Sequence, residues 1–198
     1  MGENPSFIEM RESDMKMQKN STKMMVLAGM FAAVLAVLSQ IQIPLPSGVP
    51  LTMQTFAVAL IGYVLGWKYG IVSVAVWILM GAVGVPVFSQ FNGGPGVLAG
   101  ATGGFIWGFI IMAALCGSAY RKKTAVSVVY SLLGLAACHL IGVVQFSAVM
   151  KTGMAGSFLL VSLPYLIKDV LSLAAAFAVA KAIRAGLNAA GISLAAEA

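Results

Sequence analysis

The sequence predicts an all-α integral membrane bundle of six transmembrane helices, with ligand-binding loops gathered on the outward face. Three observations predict it. Of 198 residues, 60% are hydrophobic and only 9% charged, where soluble domains carry roughly 25% charged residues. With a mean hydropathy of +0.97, a soluble fold of this length could not hide its apolar surface. Apolar runs recur six times, separated by proline, glycine or basic residues. The formal net charge of +6 gathers at alternate run ends, as expected of cytoplasmic loops, and does not suggest nucleic acid.

Residues 1–21 are polar and mixed in charge, and read as a cytoplasmic N-terminal tail. The membrane domain covers 22–186. Its first span, 22–41, is long enough to cross a core of about 30 Å at 1.5 Å per residue. Ala28, Ala32 and Ala36 recur on it at every fourth position. Such a stripe admits a partner helix, and spacing alone supports packing within the chain equally well. IPLPSGVP ends the helix, because proline cannot continue it. The second span, 52–65, is short, and its start places Thr52, Gln54 and Thr55 just beyond the proline loop. GWKYG follows, a lysine between aromatics as at a membrane interface. The third span, 71–83, opens into Gly84–Phe105, a polar stretch with Pro86, Pro95, Ser89, Gln90, Asn92, Thr102 and seven glycines, Gly94 among them. Glycine admits close approach of backbone or ligand, so this stretch reads as part of a small-molecule site. Span four is 99–117; its Gly100, Gly104 and Gly108 suit helix packing. Arg121–Lys123 mark a cytoplasmic turn. Span five, 125–150, holds the single histidine, His139, read as packed or locally hydrogen-bonded. Span six is 158–183, and 187–198 form a C-terminal tail.

The charges orient the bundle with both termini in the cytoplasm. The loop IPLPSGVPLTMQT, the FNGGPG stretch and the segment leading into LPYLIKD then share the outer face. Between Met15 and Ala196 there is one acid, Asp169. An ionisable group inside a membrane segment is costly and usually functional, although Lys168–Asp169 could also be a helix start at the interface.

Gln54 and Asn92 offer amides, Asp169 an acceptor and a charge, Lys168 three donors. Phe88, Phe91, Tyr165 and Trp107 offer apolar walls. This set suits a small, mostly apolar molecule with a planar hydrogen-bonding head. Catalysis is not expected: HExxH, GxSxG and GxxxxGK[ST] are absent, and the carboxylates and the histidine do not pair along the sequence. Cys116 and Cys138 sit in apolar runs without metal spacing and read as packing residues. No cofactor or metal is implied.

The stretches IPLPSGVPLTMQTFAV, GWKYGIVSVAVWILMGAVGVPVFSQFNGGPGVLAGATGGF and LPYLIKDVLSLAAAF resemble the BioY family, the biotin-binding S components of energy-coupling factor (ECF) transporters. The likeness covers most of 24–184, and its central pattern is GxPVFSxFxGGxGxLxGxTGG. Ala101 stands where that family commonly has proline, and Ser172 where it often has lysine; Asp169 matches the family acid. The resemblance implies six helices, a biotin pocket near the outer face, and a module of one transmembrane coupling protein and two ATPases. It implies a place in the plasma membrane of a prokaryote and carries the family acid over to Asp169. Joined to the chemistry of the residues, it gives the preferred reading: substrate contacts from Thr52, Gln54, Phe88, Phe91, Asn92, Gly94, Tyr165, Lys168 and Asp169, with Thr52 and Gln54 in a lid loop. It implies docking on the coupling protein through Ala28, Ala32 and Ala36, and leaves room for a homo-oligomer. An S component for another vitamin, such as thiamine or riboflavin, and a solitary proton-coupled carrier are the alternatives.

Overall fold

The computed structural model describes residues 5–44, 50–119 and 122–190. The tip of the proline loop, Arg121 and the tail beyond 190 lie outside the described residues. The described residues hold seven α-helices, one two-stranded ribbon and a single 3₁₀ turn at Ser89–Phe91. Three of the helical segments, Asn20–Leu38, Gln54–Ala82 and Thr124–Met150, are long and apolar enough to cross a membrane.

Helix α1 (Pro5–Leu38) is continuous for 34 residues. From Pro5 onward the polar N-terminal segment is thus helical and runs without a break into the apolar span, which begins at Asn20. Strands β1 (Gln42–Ile43) and β2 (Leu51–Thr52) pair antiparallel, with Gln42 opposite Thr52. Helix α2 (Gln54–Ala82) is helical throughout except at Gly66, whose φ of 78° and ψ of 177° break it. A methyl group placed on Gly70 would lie 3.4 Å from the Gly62 Cα, whereas eight residues along one helix are about 12 Å apart. The chain therefore reverses at Gly66, and α2 is a hairpin of two arms that match the second and third expected spans. Glycine suits this turn because positive φ is strained for residues with a Cβ.

Short α3 (Pro95–Ala99) precedes α4 (Gly103–Ala119), and α5 (Thr124–Met150) follows. The sixth expected span is broken: α6 (Met154–Val161) stops at Ser162, and α7 (Leu163–Ala189) starts beside it. Pro164 has no N–H and cannot join the ladder of α6, which accounts for the break.

The core lies between α1, α2, α4, α5 and α7, the last contributing Leu173, Ala176 and Ala180. Close approach is needed where α4 crosses α5: a Cβ on Gly108 would stand 2.7 Å from the Cys138 Cα. Ala28 and Ala32 are fully buried in this core, and Ala36 is half-buried. The alanine stripe thus seats α1 inside the chain, and in this structure its first two residues are not available to a partner. The exposed flank of α1 is Met25, Val26, Met30, Val34 and Val37.

Candidate ligand-binding site

A cavity of about 210 Å³ opens at the end of the bundle that holds the ribbon and the Gly84–Phe105 stretch. Thr52, Gln54 and Thr55 line one side, from β2 and the first turn of α2. Thr52 and Gln54 are buried, and Thr52 Oγ1 donates to Gln54 Oε1 at 3.1 Å. Thr52 stands in the ribbon and Gln54 in the first turn of α2, and both form part of the cavity wall.

Phe105, Ile106 and Phe109 of α4, Leu135 of α5, Val161 of α6 and Phe88 supply apolar lining. Phe88 sits at the base of a tight turn. Its N–H donates to the Asn92 carbonyl at 3.0 Å, and Asn92 N–H to the Ser89 carbonyl at 3.3 Å. Behind Phe88, the fully buried Trp77 meets its ring edge-on at 4.9 Å, and Trp77 Nε1 donates to the Val87 carbonyl at 3.0 Å. Inside the turn, Gln90 and Phe91 both adopt positive φ, 62° and 55°, a strained state for residues with a Cβ. The end of α1 holds the turn: Gln40 Nε2 donates to the Phe88 carbonyl at 3.0 Å, and Phe91 N–H donates to Gln40 Oε1 at 2.9 Å. Ser89 Oγ adds a bond to Gln42 Oε1.

This turn puts two expected contacts elsewhere. Phe91 is 71% exposed and lies outside the cavity lining, because the left-handed pair points its ring outward. Gly94 does not line the cavity either; its N–H is spent on the Gly81 carbonyl. Trp107, expected as an apolar wall, is also outside the lining and 42% exposed. Asn92 and Gln90 do line the cavity, at its exposed rim.

The polar centre comes from α5 and α7. Asp169 is 4% exposed, in the second turn of α7 and not at its start. Lys168 is its ion-pair partner at Oδ1, and Lys168 Nζ also donates to the Thr52 carbonyl at 2.9 Å. Asp169 Oδ2 lies 3.1 Å from His139 Nε2, and His139 Nδ1 lies 2.8 Å from Ser162 Oγ. Tyr165 joins them in the lining. The structure thus gathers Thr52, Gln54, Phe88, Asn92, Tyr165, Lys168 and Asp169 around one cavity.

His139 corrects the sequence reading, which left it and the carboxylates unpaired. Thirty residues separate His139 from Asp169, so local spacing could not reveal the contact. A signal was present nonetheless: the single histidine and the single acid of the membrane domain each need a partner, because an uncompensated ionisable group in lipid is costly. The Ser162–His139–Asp169 chain does not make a hydrolase. Ser162 has no exposed surface and is not part of the cavity lining, so its oxygen cannot reach a substrate there. Among the described residues no cluster of His, Cys, Asp or Glu could hold a metal ion.

What the site can do is bind a small ligand with an apolar body. The Asp169 carboxylate accepts hydrogen bonds, Lys168 balances its charge, and the aromatic wall buries carbon.

The sequence matches the model of the BioY family over residues 10–189. It is 48% identical over 101 residues to the biotin transporter BioY of Thermotoga maritima, covering 51% of this chain and 59% of that protein. It is 35% identical over 158 residues to the probable biotin transporter BioY of Pyrococcus horikoshii, covering 80% of this chain and 94% of that one. The fold resembles the crystal structure of the S-component for biotin from an ECF-type ABC transporter. That likeness has a TM-score of 0.76 and 21% identity, over 84% of this chain and 93% of the other.

Proposed function

The chain belongs to the BioY family, and we infer that it is a membrane S component that binds biotin and delivers it inward with an ATP-driven ECF coupling module. The observation that carries this reading is the Asp169–Lys168–His139 cluster set in an apolar cavity. Biotin presents the complementary chemistry. Its ureido N–H groups donate and need an acceptor, which Asp169 supplies. Its bicyclic ring is apolar and fits against Phe88, Phe105 and Tyr165. Its carboxylate is best left at the polar rim with Gln90 and Asn92. Relatives bearing the name of biotin transporter support this ligand over thiamine or riboflavin.

The distribution of basic residues supports the direction of transport. Lys68, Lys122, Lys123, Lys181 and Arg184 lie toward the end of the bundle opposite the cavity. The positive-inside bias supports a cytoplasmic position for that end and for the N-terminus of α1, and with it a cavity that opens outward. Docking of the coupling protein then falls to exposed surface such as the outer flank of α1. The chain itself performs no catalysis; ATP hydrolysis belongs to the partner ATPases.

The test is direct. Protein purified in detergent is expected to bind radiolabelled biotin saturably and to release biotin on denaturation, identified by mass spectrometry. Absence of both, or preferential binding of thiamine or riboflavin, would overturn the assignment.

A further inference from the structure

The chain has one histidine, and both of its ring nitrogens are engaged inside the bundle. His139 and Ser162 are 6% and 0% exposed. The ring is braced edge-on by Phe105, with centroids 5.8 Å apart and planes at 87°. The hydrogen positions follow from the partners. An ionised Asp169 only accepts, so Nε2 carries the hydrogen and donates to Oδ2. With a single hydrogen on the ring, Nδ1 is a lone pair to which the Ser162 hydroxyl donates, and this is the tautomer the experiment below reads.

Two further facts give this chain of bonds a purpose. Lys168 meets the other carboxylate oxygen, but from the neighbouring residue of the same helix and on a long flexible stem. Lys168 therefore balances the charge of Asp169 and, through its bond to the Thr52 carbonyl, fastens Oδ1 toward β2, leaving Oδ2 to be held by another group. His139 comes from α5, the helix locked to α4 at Gly108, and its Nε2 ties Oδ2 to that frame, while Thr55 of α2 also bears on the carboxylate. Ser162, at the other nitrogen, is the residue at which α6 ends and α7 begins.

We propose that His139 is a positioning residue for the ligand's head group: through its Nε2–H it sets the plane of the Asp169 carboxylate, and through Nδ1 it ties that plane to the α6–α7 break at Ser162. The proposal rests on the reading of Asp169 as the head-group acceptor. Without the imidazole, Oδ2 loses its donor and the carboxylate turns toward Lys168, so its free lone pairs no longer meet the ligand's N–H groups. His139 also lines the cavity, but its two ring nitrogens are taken up by Asp169 and Ser162, so its polar atoms act on the ligand through the carboxylate.

The experiment compares amide substitutions that place an N–H at one or the other ring position. In His139→Gln the amide nitrogen reaches the place of Nε2; in His139→Asn it reaches only that of Nδ1. With radiolabelled biotin, Gln is expected to bind within about threefold of wild type. Asn is expected to bind about 10- to 100-fold more weakly, the loss of a hydrogen bond to a buried charge. Asn binding like wild type, or Gln as weak as Asn, overturns the proposal. Should neither variant fold, the wild-type protein decides. With any tag removed, ¹⁵N-histidine labelling gives a spectrum of one imidazole. The expected signature is protonated Nε2, unprotonated Nδ1, and a shifted Nε2 resonance at saturating biotin. A protonated Nδ1 tautomer, or a resonance unmoved by bound biotin, rejects the proposal. Failure of the wild-type protein to bind biotin at all instead rejects the ligand assignment, and the unliganded spectrum still reads the Nε2–H bond separately.

Discussion

The cavity has two unlike walls. One is built by α2, α4 and α5, which pack closely, with glycine at the crossing and large apolar side chains such as Trp77, Phe109 and Met112 filling the space. The other is α6 with the first turns of α7. There Leu159, Leu160, Leu163, Ile167 and Leu171 are exposed, as suits a face turned to lipid, and the inward side is held by Ser162–His139, His139–Asp169 and Lys168–Thr52. The first wall is held by shape, and the second by these few polar bonds together with one small apolar cluster, Val161 against Val143 and Phe146. Most of the apolar lining comes from the first wall, whereas the charged groups come from the second. Ligand affinity and fold stability are therefore expected to be separable by mutation.

The sharpest way to break this comparison is Asp169→Ala. It removes the acceptor and the centre of the bonds holding the second wall, and biotin affinity is expected to fall about 100-fold or more. The thermal midpoint should fall much less, because the Lys168 head, partly exposed, can turn to water. Equal binding by wild type and variant in equilibrium dialysis would show that the second wall does not hold the ligand. Gly108→Ala probes the first wall. Its methyl group meets the Cys138 backbone, so stability is expected to drop by about 2 kcal/mol, read as a lower unfolding midpoint in a thermal-shift assay. The protein that remains folded should bind biotin normally; lost affinity without lost stability contradicts the division.

Smaller effects sharpen the picture at the rim. Gln40→Leu leaves the Phe88 carbonyl and the Phe91 N–H without their clasp, worth about 1 kcal/mol each. Biotin dissociation is expected to quicken about fivefold or more in a stopped-flow chase, and an unchanged rate would mean that the turn needs no clasp. Phe91→Ala should have the least effect. Its ring is exposed and off the cavity, so affinity is expected to stay within about twofold of wild type; a large loss by calorimetry would put the ring back among the contacts.

The helices were legible because apolar runs, glycine and proline are local signals. Gly66 marked the hairpin, and the basic residues marked one end of the bundle. Asp169 was legible by isolation alone, as the single acid in a long apolar domain. The rest depended on facing, which composition does not encode. Ala28 and Ala32 have the spacing of a docking stripe, yet spacing cannot tell an inner partner from an outer one. Phe91 looked like a contact because it lies between Phe88 and Asn92 in sequence, and two left-handed residues turned it away. The break at Ser162 was readable from Pro164, but the apolar run around it masked the signal. The pairing of His139 with Asp169 needed the fold, since only the packing of α5 beside α7 brings them together.

Trp77 also gives the molecule an optical property. Its indole is fully buried and touches Phe88, which lines the cavity; Trp67 and Trp107 are 47% and 42% exposed. Replacing those two with phenylalanine would leave a single emitter beside the binding chamber, shielded from aqueous quenchers. Its blue-shifted fluorescence would follow the displacement of Phe88 as the chamber fills, so that occupancy could be timed in a cuvette without a label on either the protein or the vitamin.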